Sequence, residues 1–225
     1  MSSNLETQLQ AAEDEFLKRW KRGPTRLRWS KLPPQVGDPA PNLELQDSSG
    51  KLVNLRDFWS DRPALLMFWR HYGCGCGLDR AKRLQKEYDD YITAEANVVV
   101  IGQGETERTT VYAQKYNIPC PMLCDPTYQT YEAYGLLEGK PLLFLYDAPE
   151  ELLRRDDEAT QAFIEAHHKA GRPLVDNPWQ LPGEFVVSRT GIIHLAYRYQ
   201  YCEDFPNPLV LIAAIREAAA ESRSR

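Results

Sequence analysis

Two cysteines one residue apart, Cys74 and Cys76, stand where an apolar run gives way to a glycine-rich turn and then to a helical pattern. Ala64-Leu65-Leu66-Met67-Phe68-Trp69 has the length and near-continuous apolarity of a strand buried on both faces. From Leu78 onward, Ala81, Leu84, Tyr88, Tyr91 and Ile92 recur at three- and four-residue spacing, which marks an amphipathic helix. A thiol at such a strand-to-helix turn meets free backbone N–H groups and the positive end of the helix dipole, and both favour the nucleophilic thiolate. Thiol redox chemistry also needs donors for a departing oxygen or sulfur. The N–H groups of Gly75 to Leu78 and the guanidinium of Arg70 can supply them, while His71 can hold or relay a proton near neutral pH. Gly73, Gly75 and Gly77 can absorb the bend that a ring closed across a single residue imposes. The bland alternatives are an Arg70 paired with an acid, a His71 that only hydrogen-bonds its loop, and a buried, inert thiol pair. No further Cys or His pair follows at a usual ligand spacing, so no metal is expected.

Composition sets the frame for this site. The chain has 225 residues, 43% of them hydrophobic and 26% charged, enough for one well-buried core. A formal net charge of −5 argues against nucleic acid or an anionic membrane as partner. No apolar run approaches the ~18 residues that span a bilayer. The start, Met1 to Glu6, lacks a basic-then-apolar leader, so a cytoplasmic protein is expected. Five cysteines, an odd number at irregular spacing, point in a reducing compartment to redox or catalytic use rather than a disulfide framework.

The remaining elements follow in order. Leu5, Leu9, Ala12, Phe16 and Trp20 form one stripe, predicting a helix over residues 4 to 21 that packs on its own domain or on a second subunit. Lys18 to Lys31 holds seven Lys or Arg and no acid, with Trp20 and Trp29 interleaved; in an acidic chain it reads as a solvated basic face or a contact with acidic surface. Residues 32 to 41 carry four prolines and form a lead-in. Residues 43–46 and 52–55 form a hairpin, 97–102 a second buried strand, 105–116 a helix, 121–124 a short strand and 142–146 another strand. Asp125 and Pro126 start a helix as N-cap and first helical residue. Residues 150 to 170 are charged and helix-favouring, within an insertion of about 147–178. Residues 184–188 and 192–199 form a hairpin about Gly191, and a helix closes the chain from 207 to about 222. Glu165, His167, His168 and Lys169 read as a solvated face, and His194 as a strand histidine.

Several stretches resemble one family. Arg70-His71-Tyr72-Gly73-Cys74 resembles the Arg-His-Phe-Gly-Cys start of the redox motif in bacterial peroxiredoxin-like proteins of the alkyl hydroperoxide reductase/thiol-specific antioxidant (AhpC/TSA) group. Val36-Gly37-Asp38-Pro39-Ala40-Pro41 is similar to the start of their domain. Ile118-Pro119-Cys120-Pro121-Met122-Leu123-Cys124-Asp125-Pro126 with Tyr134-Gly135 is similar to their Ile-Pro-Phe-Pro-Leu-Leu-Ser-Asp-Pro block, and Leu181-Pro182-Gly183-Glu184-Phe185-Val186-Val187 resembles the segment carrying the cis-proline of thioredoxin folds. The motif departs from the family in its second thiol, which usually follows the first by three residues; here Gly77 holds that place and Cys76 is the second thiol. The Pro-x-x-x-Thr-x-x-Cys loop of typical peroxiredoxins is absent.

The resemblance implies an α/β, thioredoxin-like fold: a central mixed sheet flanked by helices, with an N-terminal helix and linker (1–34) ahead of a domain over 35–225. It implies a thiol-dependent peroxidase or related dithiol oxidoreductase, with Cys74 as nucleophile, Cys76 as resolving partner and Arg70 and His71 beside them. Pro182, in a cis peptide facing Cys74, lies on the substrate side with Tyr72, Gly73 and Gly75. By topology Cys202 and Cys124 come to the Cys74 edge of the sheet and Cys120 to the far end, which makes Cys202 an alternative resolving thiol. The partners implied are a peroxide or disulfide substrate and an external thiol reductant such as a thioredoxin, with a homodimer as the oligomeric alternative and no cofactor. The competing readings are a disulfide reductase or isomerase without peroxidase activity, and a non-catalytic thioredoxin-like binding module.

Overall fold

The computed structural model describes residues 3–223. Seven strands form one mixed sheet in the order β2-β1-β5-β4-β3-β6-β7. The centre is β3 (Ala64–Phe68), parallel to β4 (Asn97–Gly102), which is parallel in turn to β5 (Met122–Cys124). The hairpin β1 (Glu44–Asp47) and β2 (Leu52–Asn54) joins antiparallel through β1 and β5, and β6 (Gly183–Val187) with β7 (Ile193–Arg198) joins antiparallel on β3.

Every residue of β3 is buried, and its alternation divides the core. Leu65 and Met67 face a layer with Leu84 and Tyr91 of α2 (Gly75–Thr93) and Leu211 and Ile215 of α7 (Pro208–Arg223). Ala64, Leu66 and Phe68 face the other layer, with Leu55, Trp59, Tyr131 and Tyr134. Helix α2 is tied to the sheet by Arg80, buried between Glu184 of β6 (2.7 Å) and Glu87 (2.9 Å), with the Tyr199 hydroxyl donating to Glu184. Burial works against the Arg80 charge, but the two carboxylates outweigh it and hold its pKa above the ordinary value. The remaining helices are α1 (Ser3–Arg22), α3 (Thr106–Lys115), α4 (Gln129–Ala133), α5 (Glu150–Arg154) and α6 (Asp157–Lys169).

Helix α1 lies on its own chain. Phe16 and Trp20 are 2% exposed, and Trp20 stacks between Trp179 (5.0 Å) and Phe163 of α6 (5.7 Å) while its indole N–H donates to Thr160. Several of the cations in its last turn and just beyond it meet the chain's own acids. Arg19 pairs with Glu15, Lys21 with Asp157 and Arg26 with Glu132.

Three local expectations are corrected. Residues 142–146 form no strand: Pro141–Leu143 is a 3-10 turn, and Phe144 and Leu145 turn into the aromatic cluster around Trp20. Asp125 does not cap its helix directly; the helix begins at Gln129, and the carboxylate accepts from the Gln129 and Thr130 amides across an intervening turn. No peptide bond among the described residues is cis, so Leu181-Pro182 is trans. Leu181 already bonds Leu137 in an extended run that passes straight into β6, where Gly183 pairs with Phe68 and Arg198.

Replacing Trp20 by alanine removes the centre of a buried aromatic stack and should cost about 3–5 kcal/mol in urea unfolding. A loss under about 1 kcal/mol, within the range of surface substitutions, would mean that α1 is not part of this core.

Candidate active site

Strand β3 ends as Trp69 bonds the Ile101 carbonyl, and the chain turns through residues 70–73 with the Cys74 amide donating to the His71 carbonyl. Cys74 is then the N-cap of α2, in extended backbone with no side-chain cap, and no acidic residue occupies the first turn. The positive end of the helix therefore meets the sulfur with nothing local to neutralise it. Cys74 and Cys76 form a disulfide, their Cα atoms 5.5 Å apart. Cys74 is half-buried, whereas Cys76 is 5% exposed. Gly73 is required by proximity: a Cβ there would lie 2.2 Å from the Pro173 carbonyl oxygen, which crosses the turn.

The disulfide lines a cavity of about 210 Å³ together with Arg70, His71, Trp179 and Cys202. Arg70 is 5% exposed and meets no carboxylate among the described residues. Its Nη1 donates to the carbonyls of Pro178 (2.6 Å) and Gln180 (2.8 Å), its guanidinium lies 4.1 Å over the Phe144 ring, and its Nε has no partner among the described residues. Burial lowers its pKa to about 10, which leaves it charged at neutral pH. His71 is also buried, edge-on to Phe16 at 5.6 Å, and its Nδ1 has no partner among the described residues. Burial first, then the charge of Arg70 and the coupling to His167, holds its pKa well below 6.5, so the ring is neutral. The site thus contains two buried nitrogens without a hydrogen-bond partner among the described residues.

A roof from distant sequence covers these groups. Phe16 and Trp20 come from α1; Phe163 and His167 come from α6; Leu174, Pro178 and Trp179 come from the segment leading into β6. The His167 Nδ1 lies 2.9 Å from the Phe163 carbonyl, and burial lowers its pKa. Arg172 reaches the same turn, its Nη1 3.5 Å from where a Cβ on Gly75 would stand. The segment is pinned by buried contacts. Asp176 forms a two-pronged ion pair with Arg108, Asn177 bonds Gln103 and Glu138, and the Trp179 indole donates to the Arg19 carbonyl.

The structure brings together Cys74, Cys76, Arg70, His71, Gly75 and Cys202, as the sequence suggests. Cys202 lies at the cavity wall, its thiol 3.9 Å from the Phe144 carbonyl and raised in pKa by burial, with Arg70 opposing the rise. Tyr72 does not join them; its ring packs on Gly102 and Gly104, stacks on Tyr112 and bonds Thr109. Pro182 does not either, lying in a separate groove with Leu136 and Arg198, while Pro178 and Trp179 take the place expected for it. Cys124 is buried against the Asp47 carbonyl, and burial pushes the Cys120 thiol up to about 12. His167, read from sequence as solvated, lines the site. Its one signal was Phe163, four residues earlier on the same helix face; nothing local marked Arg172 or Trp179.

The fold and the dithiol at the start of α2 define a thioredoxin-fold protein with a redox-type cysteine pair. The AhpC/TSA family profile matches residues 36–196, most of the chain, and the chain belongs to that family. It is similar to peroxiredoxin Bcp of Escherichia coli, 29% identical over 111 residues, which is 49% of this chain and 70% of that protein. It is also similar to the thioredoxin-like protein AAED1 of Arabidopsis thaliana chloroplasts, 26% identical over 118 residues, 52% of this chain; the match spans 48% of the plant protein, about half its length. Among solved structures, thiol peroxidase from Chromobacterium violaceum superposes with a TM-score of 0.59 at 15% identity, covering 85% of this chain and 90% of that one. Peroxidoxin BcpB from Mycobacterium tuberculosis gives 0.53 at 15% identity, covering 85% and 97%.

Because folding holds the His71 pKa below 6.5, the unfolded chain binds a proton that the folded one does not, and stability is lost as pH falls through the unfolded value. Urea midpoints should therefore fall between about pH 7 and pH 5, less steeply in His71→Gln. Equal slopes in the two proteins would show that His71 is not held neutral.

Proposed function

We propose that the chain is a thiol-dependent peroxidase of the AhpC/TSA type, with Cys74 as the attacking thiol. The observation that carries this reading is the disulfide at the start of α2, sited in a cavity with two unpartnered buried nitrogens. The Cys74 thiolate attacks the terminal oxygen of a hydroperoxide, forming a sulfenic acid as the O–O bond breaks and the alcohol leaves with a proton. Arg70 Nε is the donor for the departing oxygen, since its Nη1 is already held by two carbonyls. Neutral His71 shares that cavity and can accept or pass a proton. The Cys76 thiol then condenses with the sulfenic acid, releasing water and forming the disulfide, and one equivalent of an external dithiol, such as a thioredoxin, restores the dithiol as its own two thiols become a disulfide. Greater access favours Cys74 over Cys76 as nucleophile. Cys202, at the same cavity, is the alternative resolving thiol.

A reducing, cytoplasmic setting belongs to this reading; among the described residues no helix is long and apolar enough to cross a membrane. So does a redox domain over 35–225, with the stretch of about 147–178 as its added roof and the helix and linker of 1–34 before it. The α1 stripe is used within the chain, so a homodimer is not needed to cover it.

Stopped-flow mixing of the reduced protein with hydrogen peroxide or cumene hydroperoxide, read by fluorescence of the Trp20–Trp179 pair and by mass, should show a saturating change ending in the Cys74–Cys76 bond. Cys74→Ser should be inert, and Cys76→Ser should accumulate a dimedone-trappable sulfenic acid. A Cys74–Cys202 bond in that variant would move the resolving role to Cys202. Exchange with a model disulfide but no reaction with peroxide would make the protein a disulfide reductase, and inertness to both would leave a binding module.

A further inference from the structure

Behind the cysteine turn lies a second chamber that the redox chemistry does not use. It measures about 240 Å³ and is walled by Leu5 and Leu9 of α1, Val111, Tyr112 and Tyr116 along α3 and its end, and Val175. Its lining holds three cations, Arg108, Lys115 and Arg172, and no acidic side chain. Arg108 is neutralised by Asp176 and Glu105. Lys115 and Arg172 are not: among the described residues neither forms an ion pair, and Lys115 only donates to the Gly171 carbonyl while lying 5.3 Å over the Tyr116 ring. Tyr112, 5% exposed, has a hydroxyl with no hydrogen bond among the described residues, 3.6 Å from where a Cβ on Gly77 would stand.

An apolar chamber with two uncompensated cations is complementary to a ligand with a hydrocarbon body and one negative group. We propose that this chamber binds a small aliphatic carboxylate, its chain among the Leu, Val and Tyr side chains and its carboxylate on Arg172 and Lys115. Arg172 ties the chamber to the dithiol, because the same guanidinium stands beside Gly75, next to Cys74. A bound carboxylate takes up part of a positive charge that otherwise favours the Cys74 thiolate. Linkage is reciprocal, so in the reduced protein the thiolate form binds the carboxylate more weakly than the protonated thiol by the same factor. The binding claim is independent of which redox reaction Cys74 performs.

Titration calorimetry of the oxidised full-length protein with octanoate, octan-1-ol and octylamine tests it. Octanoate should saturate one site and bind about tenfold more tightly than octylamine. Val111→Glu, at an exposed rim position, should weaken octanoate about tenfold while leaving the melting temperature near wild type. In the reduced protein, saturating octanoate should slow iodoacetamide alkylation of Cys74 about threefold, the effect of a half-unit rise in thiol pKa. Equal affinity for the acid and the amine, or octanoate binding untouched by Val111→Glu, would overturn the site. Unchanged alkylation at saturation would overturn its link to Cys74.

Discussion

The interaction on which the rest of the site depends is a buried arginine without a carboxylate. Arg70 sits just past the central strand, where taking a charge out of water is costly, and burial lowers its pKa without neutralising it. Charge-assisted bonds to the Pro178 and Gln180 carbonyls and the face of Phe144 offset that cost. Because the acceptors are backbone carbonyls, the guanidinium fixes the path of the chain from 178 to 180. That path places Trp179 over Trp20 and so seats α1, and its neighbours Asp176 and Asn177 reach Arg108 and Glu138. An ion pair with one carboxylate would have fixed a side chain; here the charge fixes a strap.

The same arrangement explains the chemistry left open inside. Nη1 is committed to the strap, while Nε and the His71 Nδ1 have no hydrogen-bond partner among the described residues, beside a cavity lined in part by aromatic rings. Both nitrogens are buried, so a group able to accept from them gains more than it would at the surface. The positive end of α2, with no acid in its first turn, adds to the same field at the sulfur.

Much of this was legible in the sequence, and what was not shares one cause. The strand at 64–69, the cysteine turn and the helix after it are long, periodic and local, and they stand where the residues place them. Cys202, expected on the Cys74 edge of the sheet, lines the cavity of the dithiol. The roof could not be read. His167 looks solvated in a charged helix until α1 is laid against it, and the Phe163–His167 face has meaning only with Phe16 and Trp20 in view. Residues 142–146 carry strand-like composition, but Phe144 is drawn over Arg70 and Leu145 into the same aromatic cluster, and tertiary packing overrides local preference. The resemblance to thioredoxin folds points to Pro182, but in this chain Pro182 lies in a separate groove and Pro178 and Trp179 line the dithiol cavity.

The roof joins the first helix to residues far down the chain: the Trp20 indole bonds Thr160, 140 positions later, and Trp179 bonds Arg19, 160 positions away. A nascent polypeptide emerging from its amino end therefore carries Cys74 and Cys76 for more than eighty residues of synthesis before Thr160 exists to close over them. During that interval the pair stands open to whatever oxidants and thiols surround the ribosome. Synthesis of the stretch through Trp179 is what first allows the dithiol to be enclosed.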